Sequence, residues 1–323
     1  MISFLYCFDK NYNFQAFSSI ISILDKVDKK INLYIIHNEY NDISFLPKII
    51  TNHKFLSEVE VFRFDKKPYK YPNLYNSHVS EATYYRLFCT EYLPKDLETI
   101  FYIDADVICV KNPIKHIEEN TKLLLNSEYT ISSKTEIVKN KKNEDVFSRL
   151  ELKSDSYFNA GVMNINLHNW RNLSIDFYGL LDSFGERLQY WDQDLLNYIF
   201  DGSYLELDQK LNKVVDFAYY EYELNFIEID KVISDGALIH FAGSHKPWSV
   251  NGIMCNLSEI YHVEFRKVSK NYFHIVHKIR SYSVYYFFKN IFNLKFFRIS
   301  HKLIFLFEFL KSLLKIDIKK NEN

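Results

Sequence analysis

The stretch TIFYIDADVICV, residues 99–110, sets two carboxylates, Asp104 and Asp106, into a run that is otherwise apolar and rich in β-branched and aromatic side chains. Such a run predicts a buried strand, and a charge placed there is costly unless something pairs with it. Ligands of α/β sheets collect at the carboxyl ends of strands, and TIFYI followed by Asp104 is such an end. In extended backbone an i, i+2 pair directs both carboxylates towards one small volume, where they repel each other unless a cation lies between them. Oxygen ligands suit a hard divalent ion such as Mg2+ or Mn2+, and such ions bridge to diphosphate oxygens. Two other readings stand beside this one. The pair could cap the following turn through backbone N–H groups. Alternatively it opens a phosphatase-type D-x-D-x-[TV] with the first aspartate as nucleophile, although Ile108 occupies the fifth position and the motif does not open the fold.

Outward from this stretch, strands and helices alternate. ISFLYCF (2–8) is a short apolar strand, and FQAFSSIISIL (14–24) has apolar residues at helical spacing. INLYIIH (31–37) and VEVFRF (59–64) read as further strands, with the helix-like FLPKIITNHKFL (45–56) between them. EATYYRLFCTEYL (81–93) is helix-like, and residues 134–156 are charged and loop-like. FNAGVMNINL (158–167) returns to strand character, YWDQDLLNYIF (190–200) to helix, and ALIHFAG (237–243) is again apolar. Alternation over this length predicts a three-layer α/β fold around a mainly parallel sheet.

Composition narrows the function. A hydrophobic fraction of 47% over 323 residues supports a large core with an appendage, and excludes a disordered chain. The net charge of −1 hides an asymmetry: residues 266–323 hold 13 Lys/Arg against 3 Asp/Glu, leaving 27 against 38 in residues 1–265. The acidic body argues against general nucleic-acid binding. Cys7, Cys89, Cys109 and Cys255 show no zinc spacing and read as reduced thiols of a cytosolic protein. No basic, cleavable leader opens the chain and no apolar run reaches the ~18 residues of a spanning helix, so neither secretion nor a transmembrane span is expected. All seven glycines lie after residue 160. The first half therefore lacks the G-x-G-x-x-G turn and the Walker loop, both of which need backbone close to phosphate. A nucleotide bound there needs its phosphate charge neutralised another way.

From about residue 265 aromatic and basic residues interleave, which suits a helix lying in a membrane interface. A helical cap packed on the body is the plainer reading. The expected division is a catalytic domain at 1–262 and a basic-aromatic, membrane-associating helical region at 263–323.

Three further stretches bear on the aspartates. HFAGSHKPW (240–248) gathers His240, Gly243 and Lys246 in one loop: an imidazole can be a third metal ligand, a glycine lets backbone approach phosphate, and a lysine can neutralise it. FNAGVMNINL sets Asn159 and Gly161 at a strand opening, where amide and bare backbone could meet sugar hydroxyls, a plain turn being the alternative. WDQDLLN places Asp192, Gln193 and Asp194 at a helix start, where capping needs only one polar residue.

Taken in order, D-x-D, F-N-A-G-V-x-x-I-N-L, D-Q-D-x-L-N and H-F-x-G-x-x-K-P-W resemble glycosyltransferase family 8, over about residues 1–250. FDKNY (8–12) is similar to that family's uridine-contacting segment and SHVSEATYYRL (77–87) to its substrate-side helix. The resemblance implies a GT-A fold, Rossmann-like and α/β/α with a mixed central sheet. It implies Mn2+ or Mg2+ held by Asp104, Asp106 and His240, and a UDP-galactose or UDP-glucose donor. Asp9, Asn11 and Tyr12 would line the uridine site; Ala105 and Asp104 would face the nucleotide sugar; Gly243 and Lys246 would hold the diphosphate. Arg86, Asn159, Gly161, Asp192 and Gln193 would surround the donor sugar, Asp192 and Gln193 nearest the reaction, with His78 on the acceptor side. The acid that touches the sugar in related galactosyltransferases has no clear counterpart in YTISSKTEIV (129–138). The implied reaction is retaining transfer of a hexose to a lipopolysaccharide, lipooligosaccharide or other glycan, by a cytoplasmic protein peripheral on the inner membrane. The alternative is a relative that binds sugar nucleotide or glycan without turnover.

Overall fold

The computed structural model describes residues 1–65, 69–74, 79–217 and 229–314. The chain forms two compact units, Met1–Lys213 with Ile233–His240, and Val214–Val232 with Phe241–Asn323.

The first unit is built on strands β1 (Ile2–Phe8), β2 (Ile31–His37), β3 (Leu56–Arg63), β4 (Thr99–Ile103), β5 (Val107–Cys109), β6 (Ile131–Val138), β7 (Ser156–Asn166), β8 (Leu205–Glu206), β9 (Lys213–Val214) and β10 (Leu238–His240). Seven of them form one sheet in the order β3-β2-β1-β4-β7-β6-β8, and a small second sheet runs β5-β10-β9. Pairing is parallel from β3 to β4, whereas β7 is antiparallel to both β4 and β6, so the sheet is mixed. The central β1 is almost wholly apolar, Ser3 excepted, and is covered on both faces.

The helix Asn13–Leu24 buries Phe17, Ile20, Ile21 and Leu24 together with three serines. Those serines explain its register against β5. Ser19 Oγ donates to the Val107 carbonyl, and Cys109 N–H donates to Ser22 Oγ at 2.9 Å. Side chains thus satisfy part of β5's open edge and hold the strand that follows Asp104 and Asp106.

Several sequence expectations are corrected. The helix-like segment 45–56 shrinks to the single turn Lys48–Thr51 beginning after Pro47, whose ring fixes the backbone there. The helix-like segment 81–93 is indeed helical over residues 81–91, as a 3-10 helix. The segment 134–156 is not a loop: it carries the end of β6, the helix Glu144–Leu150 and the start of β7. Its apolar pattern is weak because residues 134–145 are half-buried or exposed; just before them Ser133 is buried and its hydroxyl donates to Asn159 O at 2.6 Å.

In the second unit, Val250, Ile253 and Met254 share a core with Phe273, Phe287, Phe296, Phe305 and Phe309. The basic-aromatic segment forms two helices, Arg280–Phe292 and Lys302–Leu314, separated at Leu294 (φ 58°). Its aromatics divide between that core and solvent, where Phe292 is 83% and Phe307 68% exposed. Among the described residues no helix is long and apolar enough to cross a membrane.

Candidate active site

Asp104 and Asp106 sit where the chain leaves the large sheet at the end of β4 and enters β5 in the small one. The link is a tight turn closed by Val107 N–H on Asp104 O at 3.2 Å, not the extended backbone expected. In the antiparallel β5–β10 pair His240 lies opposite Val107, which brings the imidazole beside Asp106. Ligand atoms of Asp104, Asp106 and His240 all lie within 4.8 Å of one another. Two carboxylates and an imidazole are a donor set for a divalent ion of hard or borderline character. The Asp104 carboxyl is raised above the ordinary range by burial, with Arg86 opposing and Asp106 adding to the rise.

Gly161 has a steric reason to be glycine. A Cβ there would lie 2.3 Å from His240 Cε1 and 2.9 Å from Asp104 Oδ2. Its carbonyl also accepts from Asp104 N–H at 2.8 Å, tying the Asp104–Val107 turn to β7.

Arg86 joins this cluster to a second one. Its guanidinium is buried, 3.3 Å from Asp104 Oδ1 and 2.6 Å from Asp192 Oδ2, and lies over the Tyr102 ring at 4.4 Å. It also donates to Ala160 O. Tyr102 OH donates to Asp104, and Thr83 Oγ1 to Asp192. One arginine therefore fixes one carboxylate at the D-x-D turn and another at the start of the helix Trp191–Phe200.

The three polar residues at that helix start do different things. Asp192 meets Arg86 and Thr83. Gln193 accepts from Ala160 N–H at 2.9 Å, while its amide NH2 donates to Tyr157 OH at 3.2 Å and Glu136 Oε2 at 3.3 Å. Asp194 is fully buried, accepting from Tyr190 N–H and Tyr157 OH and pairing with Arg149 at 2.7 Å. The preceding Trp191 has φ 51°, a left-handed backbone unusual for a large side chain.

Asn159 is buried on β7 next to these groups. Its amide NH2 donates to Glu136 Oε2 at 3.2 Å and its carbonyl accepts from Gly161 N–H at 3.0 Å. Glu136, on β6, thus stands against both Asn159 and Gln193. It is the one acid within YTISSKTEIV, and side-chain hydrogen bonds rather than a motif bring it to these two amides. Sequence reasoning also missed Asn212, Thr83 and Tyr102, which carry no motif signal.

Asp9 is buried and caps the 3-10 turn Lys10–Tyr12, accepting Asn11 N–H at 2.8 Å. The Tyr12 phenol is held well above its ordinary pKa by burial, then by the carboxylates of Asp106, Asp9 and Asp104. This segment therefore borders the aspartate cluster. Ala105 is buried between its two acidic neighbours. Gly243 and Lys246 belong to the second unit. There Gly243 has φ +77°, its missing Cβ facing the Asp216 carboxylate at 2.7 Å, and Lys246 Nζ donates to Phe241 O at 2.9 Å. His78 lies outside the described residues.

Burial pushes the Asp192 carboxyl up to about 6, against the lowering influence of Arg86 and Thr83. If its ionised form orients substrate, activity is present above that pH and lost below it. The expected result is a kcat/KM profile falling on the acid side with a midpoint near about 6, and an Asp192→Asn variant that is weak at every pH without that limb. A wild-type profile flat down to pH about 5 would remove Asp192 from this role.

Comparison with known proteins places this arrangement. Among solved structures, the galactosyltransferase LgtC, in complex with donor and acceptor sugar analogs, superposes with a TM-score of 0.66 at 19% identity, over 83% of this chain and 97% of that one. The fold is that of the GT-A glycosyltransferases. The sequence profile of glycosyl transferase family 8 matches residues 3–252, and the chain belongs to that family; it is a hexosyltransferase. The lipopolysaccharide 1,2-glucosyltransferase of Escherichia coli is 31% identical over 252 residues, 74% of this chain and 71% of the relative. The lipopolysaccharide 1,3-galactosyltransferase of Salmonella typhimurium is 26% identical over 249 residues, covering 75% and 72%.

Proposed function

We propose that the protein transfers a hexose, glucose or galactose, from its UDP derivative to a hydroxyl of a lipopolysaccharide or lipooligosaccharide acceptor, with retention at the anomeric carbon. The observation that carries this reading is Arg86, which binds the metal-ligand turn and the donor-sugar helix into one buried ion-pair network. Asp104, Asp106 and His240 would hold Mn2+ or Mg2+; when bound, the ion supplies Lewis-acid stabilisation to the departing diphosphate. Asp9, Asn11 and Tyr12 line the uridine side, and Ala105 lets the nucleotide approach the turn. Gly243 and Lys246 are assigned to the diphosphate by resemblance to the family alone, and His78 likewise to the acceptor side. Arg86, Asn159, Gly161, Asp192 and Gln193 hold the sugar, to which Glu136 is added here for its place against Asn159 and Gln193.

Gln193 is a poor nucleophile, as amides are, and its carbonyl is already engaged by Ala160 N–H. Front-face attack fits better. The bond from the anomeric carbon to UDP breaks as the acceptor oxygen bonds to that carbon on the same face, and the acceptor proton passes to the leaving diphosphate. Purified protein with Mn2+ is expected to release UDP from UDP-glucose or UDP-galactose and to glycosylate truncated lipooligosaccharide. Release from neither donor overturns the assignment.

Residues 1–262 form the catalytic domain in this reading, and residues 263–323 attach it to the cytoplasmic face of the inner membrane. Support comes from the exposed Phe288, Phe292, Leu303 and Phe307 beside Lys289, Lys295, Arg298 and Lys302. Because Phe287, Phe305 and Phe309 pack with Val250 and Ile253, deleting the tail would open a core. Paired surface changes are the cleaner test. At ~1.5 kcal/mol or more per ring, Phe292→Ser with Phe307→Ser is expected to weaken partition onto anionic vesicles about 100-fold. Transfer to a water-soluble acceptor should be unchanged. Unaltered partition would rule out this face as the attachment surface.

A further inference from the structure

We infer that Asn212 is a positioning residue that fixes the ring tautomer of His240, so that Nε2 presents a lone pair to the aspartate cluster. The inference rests on the metal reading above. Asn212 is fully buried. Its Nδ2 lies 3.0 Å from Asn159 Oδ1, and its Oδ1 lies 3.1 Å from His240 Nδ1.

Amide orientation and ring tautomer follow from the network, because both ends of it are anchored by groups with one role each. Gly161 N–H can only donate, and it points at Asn159 Oδ1 from 3.0 Å. The Glu136 carboxylate accepts from Asn159 Nδ2 at 3.2 Å. Asn159 is thereby oriented, and the Asn212 atom that meets its carbonyl must be the NH2. The other Asn212 atom is then the carbonyl oxygen, so His240 Nδ1 must carry the hydrogen. His240 Nε2, left bare, faces Asp106 Oδ1 at 3.4 Å.

Free imidazole could instead protonate Nε2 and donate to Asp106, which would occupy the lone pair a metal needs. Turning Asn212 over to allow this would set its oxygen against Asn159 Oδ1 in a buried site. Turning Asn159 as well would oppose NH2 to Gly161 N–H and oxygen to the Glu136 carboxylate. Each reversal leaves buried polar groups facing like groups. Partners of this kind set the orientation of metal-ligating histidines in general, and their loss weakens binding about 10–100-fold.

The test uses full-length protein labelled with 15N-histidine, without metal, at pH about 8.5, where ordinary imidazoles are neutral. His240 Nδ1 is expected to give a pyrrole-like signal and Nε2 a pyridine-like one. Asn212→Leu, which removes the acceptor at similar size, should shift His240 towards the Nε2–H form and weaken binding of Mn2+ alone about 10–100-fold. Asn212→Asp, whose carboxylate still offers His240 Nδ1 an acceptor although its second oxygen now opposes Asn159 Oδ1, should keep the Nδ1–H form. A pyridine-like Nδ1 in the wild type overturns the assignment without need of any variant. So does tight wild-type Mn2+ binding that Asn212→Leu leaves unchanged, with the metal site itself still standing. A wild type that binds no Mn2+ instead overturns the metal reading, and this one with it.

Discussion

Asp106→Asn is expected to abolish Mn2+-dependent binding of UDP and to lower kcat/KM by about 1,000-fold or more, roughly 4 kcal/mol of barrier. Asp106 tests the metal site more cleanly than Asp104. Asp104 also meets Arg86 and Tyr102, so its replacement would disturb those contacts as well. The amide is of nearly the same size, keeps the turn, and replaces a charged ligand by a weak neutral one. Buried carboxylates this close repel, so the metal-free variant should be no less stable than the wild type. Titration calorimetry with Mn2+ and UDP, alongside urea denaturation, separates the two effects. Tight Mn2+-dependent UDP binding by the variant would show that the metal, if bound, lies elsewhere.

Arg86→Met should cost about 3–5 kcal/mol of stability, chiefly because it leaves Asp192 without its cation in a site closed to water, and also strips the partly exposed Asp104 of its partner. The guanidinium is 4% exposed and Asp192 1%, so solvent offers little screening. Adding Asp192→Asn to Arg86→Met removes one of the stranded charges, and the double variant is expected to recover a good part of the loss. That non-additivity is the signature of direct coupling. Urea denaturation of the two single variants and the double variant measures it. A loss under about 1 kcal/mol for Arg86→Met, or simple additivity, would mean that the pair contributes little. Activity should fall in all three, since Arg86 aims both carboxylates.

Much of this site was legible in the chain as costly residues in apolar surroundings. Asp104 and Asp106 interrupt TIFYI and VICV, and three polar residues crowd the helix start at WDQDLLN, where one would serve as a cap. Polar groups in such places must be satisfied, so their presence alone announces partners. The strands were legible where both faces are covered, as in β1 and β2, and illegible in β6. There Ser132 and Ser133 are buried as hydrogen-bonding groups, and the alternation that marks a strand is lost. In the helix-like segment 45–56 the helix starts only after Pro47 and ends at Thr51, because the chain turns at Asn52–His53 into β3, which begins at Leu56.

By itself, then, the sequence determined the class of fold and the carboxylate pair set in an apolar run. Placing every glycine after residue 160 excluded phosphate-cradling turns in the first half, because only residues without a Cβ can make them. Tertiary structure alone decided who meets whom. Antiparallel pairing of β5 with β10 sets His240 opposite Val107 and so beside Asp106. An irregularity in the β6–β7 pairing at Glu136 accompanies its contact with Asn159, and Asn212 reaches His240 from a segment with no motif. It also sorted the tail aromatics into core and surface, which their composition could not. The reason is physical: side-chain chemistry and local spacing are written in neighbouring residues, whereas the distance between two groups far apart in the chain depends on strand pairing and packing that no single stretch encodes.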